Sequence, residues 1–143
     1  MTPFRLAALL RLRQRQQDDA AGDLARANAA NRDAQDLRRR YQLALAGHRM
    51  PEEASPLAWT AAAAARAALS TATIESAEHA ERTAAEAGQA TDVWRSARMR
   101  TKALEHLEDR HRADEVAAER DAEQRRLDEH TTTRPPAGDG EPS

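Results

Sequence analysis

Along the first third of the chain, apolar positions recur three or four residues apart at Leu6, Leu10, Ala20, Leu24, Ala27, Ala34, Leu37, Tyr41 and Leu45. That spacing places them on one stripe of a helix. It predicts a first helix over 4–46, roughly 65 Å long at 1.5 Å per residue. Arg13 and Gln17 weaken the stripe. A second helical pattern covers 56–131, roughly 110 Å if unbroken. Its stripe is made of alanine at Ala61, Ala64, Ala68 and Ala72, strengthens through Ala90, Val93, Ala97, Leu104 and Leu107, and fades towards Val116 and Leu127. Gly88 and the run Ser70-Thr71-Ala72-Thr73 are its weakest helical points.

Between the two patterns lies the one stretch that forbids helix, Gly47-His48-Arg49-Met50-Pro51-Glu52-Glu53-Ala54-Ser55-Pro56. Proline removes a backbone donor and pushes the residue before it out of the α region. Gly47 is expected to end the first helix with a left-handed cap, and Ser55-Pro56 to start the second as N-cap and first helical residue. With the arms folded back symmetrically about a loop over 47–55, residue i faces about residue 102 − i. Trp94 then meets Leu6, Leu9 and Leu10 and closes the open end. The first arm is exhausted near residue 98, and the rest of the second arm projects beyond it. The expected architecture is all-α: a long antiparallel two-helix coiled-coil hairpin over 1–131 with an overhanging C-terminal helix, followed by a disordered tail over 132–143 containing Pro135-Pro136, Gly138, Gly140 and Pro142.

Composition supports a rod rather than a globule. About a quarter of the 143 residues are alanine, aromatics are 3% and charged residues 32%, the balance of a long helix or coiled coil. The large apolar side chains contribute roughly 1.5–3 kcal/mol each if fully buried. Backbone ordering opposes this by about 1–2 kcal/mol per residue, so an isolated hairpin is marginal and a partner would supply burial. The net charge of −2 is uneven: residues 1–50 carry ten Arg and five acids, 51–98 four Arg and seven acids, and 99–143 seven Arg and one Lys against twelve acids. A basic first arm against an acidic second arm favours their pairing and argues against a dedicated nucleic-acid binder. Cysteine is absent, which fits a reducing cytoplasm. The opening residues lack the apolar run of a signal peptide, and no window reaches the ~18–20 apolar residues of a membrane span. The expectation is a soluble protein.

Candidate chemistry is sparse. There is no Gly-rich phosphate loop, no Cys and no Ser in a nucleophile-elbow context, so no enzymatic activity, catalytic residue or cofactor is expected. Glu108-Asp109-Arg110-His111 has the Glu-x-x-His spacing of four-helix di-iron sites, but no second copy exists; a solvated face is expected and no metal. Arg38-Arg39-Arg40 could clamp phosphates, yet Asp33 and Asp36 lie one turn away and i,i+4 pairing explains it. Trp94 reads as structural, and Trp59, beside the loop, as core or docking anchor alike. The segment 99–131 is dense in opposite charges three and four apart, including Glu108–Arg112, Asp121–Arg125 and Arg125–Glu129. Such pairs give about 0.2–0.5 kcal/mol each and can hold a solvated helix. It fits an exposed rod, a homodimer seam or a shaft entering another protein.

The opening Phe4-Arg5-Leu6-Ala7-Ala8-Leu9-Leu10-Arg11-Leu12-Arg13-Gln14-Arg15, followed by Asp18-Asp19-Ala20-Ala21, resembles the start of the flagellar export protein FliJ family. Val93-Trp94 with Ala97-Arg98, then Lys102-Ala103-Leu104-Glu105-His106-Leu107-Glu108, is similar to that family's Trp-containing approach to a Lys-x-Leu-Glu-x-Leu segment. The run from Glu119 through Glu123-Gln124-Arg125-Arg126-Leu127-Asp128-Glu129 resembles its closing motif. Order, spacing and length agree over nearly the whole chain.

The resemblance implies a non-enzymatic component of the flagellar type III export apparatus, resembling the γ stalk of rotary ATP synthases. Its joined ends would sit in the hexameric export ATPase, FliI, and promote ring assembly and activity. Another part would contact the export gate protein FlhA, and substrate chaperones would be handled as well. By position, the resemblance points to Leu9, Arg11, Arg13, Arg15, Arg120, Gln124, Arg125 and Leu127 for the ATPase, and to Leu37, Tyr41 and Leu45 for the gate. It also implies flagellum biogenesis and chemotaxis, and a cytoplasmic protein peripheral to the inner membrane at the flagellar base. The alanines 61–65 depart from the larger side chains expected there. Alternatives are a self-associating or nucleic-acid-binding Arg-rich coiled coil, or the equivalent stalk of a virulence secretion system.

Overall fold

The computed structural model describes residues 3–132. The tail expected over 132–143 lies, Thr132 apart, outside the described residues. The described residues form two helices, α1, Ala7–Gly47, and α2, Pro56–Thr132, and no strand. α2 begins where its cap chemistry dictates. The Ala58 N–H donates to Ser55 Oγ at 3.2 Å, and Pro56 fills the first helical position, where no N–H is needed. It then runs without interruption through Gly88, where a Cβ would meet nothing within 4 Å. The hydroxyls of the weak stretch turn back on their own helix: Thr73 Oγ1 donates to Leu69 O at 2.7 Å and Ser76 Oγ to Thr73 O at 3.0 Å. Local back-bonding of this kind lets small polar residues face a helix partner without an unsatisfied group.

The helices pack antiparallel along a seam that repeats every 3.5 residues. In α1 the shielded positions include Leu10, Arg13, Gln17, Ala20, Leu24, Ala27, Asn31, Ala34, Arg38, Tyr41 and Leu45. In α2 they include Leu69, Thr73, Ser76, Ala80, Thr83, Ala87, Ala90, Trp94, Ala97, Thr101 and Leu104. Alternating steps of three and four are the signature of knobs-into-holes pairing. The core itself is narrow. Its buried members are Leu10, Ala20, Ala34, Ala80 and Ala87 with Ser76, Thr83 and Thr101, so the backbones approach closely along small side chains.

The register differs from the symmetric fold-back. Thr101 Oγ1 donates towards Arg13 O at 3.2 Å, Thr83 Oγ1 reaches Asn31 Oδ1 at 3.5 Å, and the Phe4 ring lies 5.7 Å from that of His111. Residue i of α1 is therefore level with about residue 114 − i of α2. Pairing reaches at least to His111 rather than ending near residue 98. Trp94 lies level with Ala20, not with Leu6–Leu10; a buried small residue opposite leaves room for the indole, and the Arg98 guanidinium covers its ring at 5.4 Å. At the open end Leu10 is level with Leu104 and Phe4 with His111.

The connection explains the difference. Gly47 is not a left-handed cap: no glycine among the described residues has positive φ, and the chain leaves α1 through an extended His48 at φ −73°, ψ 123°. Pro51 and Pro56 hold the residues before them extended. The connection runs on as a strap along the first turns of α2. His48 Nε2 donates to Ala62 O at 3.0 Å, and Met50 shares a groove with Trp59, Ala63 and Ala67. Extended chain covers roughly twice the distance per residue that helix does, so a short strap displaces the register by about three turns. The first turns of α2 accordingly stand beyond the end of α1, which leaves Leu57 80% and Trp59 54% exposed.

The seam tolerates little added volume. Ala80→Leu places three extra carbons at a position with no exposed surface and is expected to lower stability by about 1–3 kcal/mol, read as a fall in the urea midpoint followed by circular dichroism.

Candidate partner-binding surfaces

The expected ATPase-facing residues fall into two separate groups. On α1, Leu9, Arg11 and Arg15 are exposed, while Arg13 occupies a seam position, half-buried. Its guanidinium donates to Gln16 Oε1 at 3.0 Å and its carbonyl accepts from Thr101, so Arg13 holds the helix pair as much as it faces solvent. On α2, Arg120, Gln124, Arg125 and Leu127 are all exposed, with Gln124 Nε2 donating to Asp128 Oδ1 at 3.1 Å. The register puts Leu9 level with about residue 105, so the groups lie at least about 20 Å apart along the rod at 1.5 Å per residue. They form two bands on one shaft, not one patch. Ion pairs within α2 at Asp109–Arg112 and Glu123–Arg126, each 3.7 Å, line the stretch around them. Such exposed pairs hold side-chain direction more than they add stability.

The expected gate-facing residues do share a surface. Leu37, exposed, and Tyr41, half-buried, line one groove of about 420 Å³ with Ala72, Ser76, His79 and Arg82 of α2. Leu45 is half-buried one turn further on, level with Leu69. The small side chains of Ala72 and Ser76 leave the space beside Leu37 and Tyr41 open. Its floor is apolar, and Glu75, Glu78, His79 and Arg82 give it a polar rim.

Sequence reasoning missed two features. A second groove of about 500 Å³ lies between α1 and α2 around Arg13, Gln16, Ala20, Val93 and Arg100, with the small side chains of Ala20 and Ala97 in its lining. The Met50–Trp59 groove at the tip follows from the extended strap. All these grooves are open to solvent along the helix pair. Among the described residues no group of His, Asp and Glu converges in a way that could hold a metal ion, Glu108 and His111 included; His111 instead meets Phe4 and lies 3.5 Å from Glu115 Oε1. No helix of the described residues is long and apolar enough to cross a membrane.

A narrow rod of two antiparallel helices, with charged bands and shallow grooves spread along its length, defines an all-helical coiled-coil hairpin. The model of the Flagellar FliJ protein family matches residues 1–135, and the chain belongs to that family. Comparison with curated proteins and with solved structures found no match. Membership carries a role associated with flagellar type III protein export.

The spacing of the two bands is directly measurable. Spin labels at Arg11→Cys and Arg120→Cys are expected to give a distance centred near 25–35 Å; the symmetric fold-back would place them more than about 40 Å apart at the same helical rise.

Proposed function

We propose that this chain is a non-enzymatic stalk and adaptor of the flagellar export apparatus, whose open end engages the hexameric export ATPase FliI and promotes its assembly and activity. The observation that carries the reading is the unequal length of the arms. The segment just before α1 meets α2 at Phe4–His111, and α2 continues to Thr132. In this reading, residues 112–132 overhang as a single charged helix that enters the ring, with Arg120, Gln124, Arg125 and Leu127 as its contacts. Leu9, Arg11, Arg13 and Arg15 form a second band nearer the ring mouth, about 20 Å back along the shaft. A surface of alternating charges suits a shaft held inside a ring, because electrostatic complementarity orients a partner and speeds association without one deep adhesive patch.

The groove of Leu37 and Tyr41, with Leu45 beside it, is the surface proposed for the gate protein FlhA, and substrate chaperones are the third class of partner. In this proposal the protein works in the cytoplasm, peripheral to the inner membrane at the flagellar base. Family membership favours flagellar export over the sister role in a virulence system. The net charge of −2 weighs against nucleic acid.

The test is stimulation of the cognate ATPase by the purified chain. Wild type is expected to raise turnover and ring formation at low salt. Arg120→Glu/Arg125→Glu is expected to lose at least about tenfold in affinity, equivalent to about 1.4 kcal/mol, with helicity unchanged because both side chains are exposed. Undiminished stimulation by that variant would move the contact elsewhere, and no stimulation by wild type would remove the ATPase from the proposal.

A further inference from the structure

We propose that the two helices have a second packing, in which α1 is displaced along α2 by one heptad, about 10 Å, towards the C-terminal end of α2. The seam makes this possible. Its buried members are alanine, serine and threonine with the one exception of Leu10, so few layers lock into one register by shape. Among the described residues, contacts specific to the present register include the Thr101–Arg13 and Thr83–Asn31 bonds within the seam, and Phe4–His111 and His48–Ala62 at its ends. A single buried polar layer can fix the register of a helix pair, but Thr83 is 3.5 Å from Asn31, at the limit of a hydrogen bond. Both seam hydroxyls also have partners on their own helix, Thr101 at Ala97 O and Thr83 at Ala80 O. Breaking the cross-helix bonds therefore leaves neither threonine hydroxyl without a partner.

The displaced register is a matched one. Trp94 moves from the level of Ala20 to that of Ala27, so a small residue again stands opposite the indole. Tyr41 comes level with Ala80 and Ala34 with Ala87. Arg13, now opposite a threonine, comes level with half-buried Glu108, an opposite charge at a seam position. Phe4 comes level with Ala118, which the continuation of α2 supplies. Displacement the other way sets Arg38 level with Leu69 and Tyr41 level with Arg66 and uncovers Leu104, which gives the motion its direction. The connection permits it as well. From Gly47 to Pro56 the chain spans at most about 30 Å when extended, and the displaced register asks for about 27 Å along the helix axis. The strap lengthens towards its full reach and releases His48 from Ala62. One-turn and longer ratchets of one packed element past another are a known form of bistable switching. Here the motion would lengthen the paired part of the rod at the expense of the single helix.

The chain contains no cysteine, so disulfide trapping of the full chain tests this directly. Three double variants share Ala34→Cys. Ala80→Cys reports the present register, Ala87→Cys the displaced one, and Thr73→Cys a shift of one heptad the other way, which closes only through unfolding. Bridging requires Cα atoms within about 7 Å, which only the matching register provides. In mild oxidant the Ala80 pair is expected to close first, and the Ala87 pair to close fully at a rate at least about ten times that of the Thr73 pair, with helicity retained. An Ala87 pair that stays reduced, closes no faster than the Thr73 pair, or loses helicity on closing would overturn the proposal.

Discussion

The whole molecule depends on one constraint, the close antiparallel seam between two helices whose buried positions are, Leu10 apart, all small. Small side chains spaced alternately three and four apart let the backbones approach, and a 3.5-residue repeat keeps those positions facing each other over most of α1. Everything else follows from the register this seam adopts. It determines which residues are level with one another and where grooves open beside the seam. The strap sets that register. By running extended along the first turns of α2, it carries the tip beyond α1 and brings the open end close to His111.

Helix type and the place of the break were legible because they rest on local chemistry: the Ser55-Pro56 start, the prolines, and long amphipathic patterns with no β-rich competitor. Register was not legible, since the residues between Gly47 and Pro56 specify that helix stops and say less about whether the chain turns sharply or runs on. The period of the stripe misleads in the same way. A straight helix repeats every 3.6 residues and a paired one every 3.5, so Leu37, Val93 and Leu107 look like core, whereas the neighbouring positions Arg38, Trp94 and Glu108 face the seam more closely. Arg13 and Gln17, which weaken an apolar stripe, are seam residues whose long side chains reach outwards from the layer.

The candidate surfaces divide in the same way. Leu37 and Tyr41 were foreseeable as one surface, because positions four apart on one helix are neighbours in any register. The grouping of Leu9 to Arg15 with Arg120 to Leu127 required knowledge of the opposing helix, and the register spreads them along the shaft instead. For a stalk this is an intelligible arrangement. A ring gripping a rod at two levels resists tilting, while charged rather than apolar bands keep each contact exchangeable. In the proposed account, the paired part of the rod supplies stiffness and the continuation of α2 supplies the inserted end.

Hydrogen exchange of the full chain, with and without the hexameric export ATPase, tests the central claim most directly. The account predicts that, without the partner, amides of the paired seam exchange slowly while those of 112–132 exchange fast, because a lone solvated helix opens easily. On adding the ATPase, protection should appear in 112–132 and around residues 9–15, with the Leu37–Tyr41 groove unchanged. Protection confined to the strap and the first turns of α2, with 112–132 still exchanging freely, would contradict it.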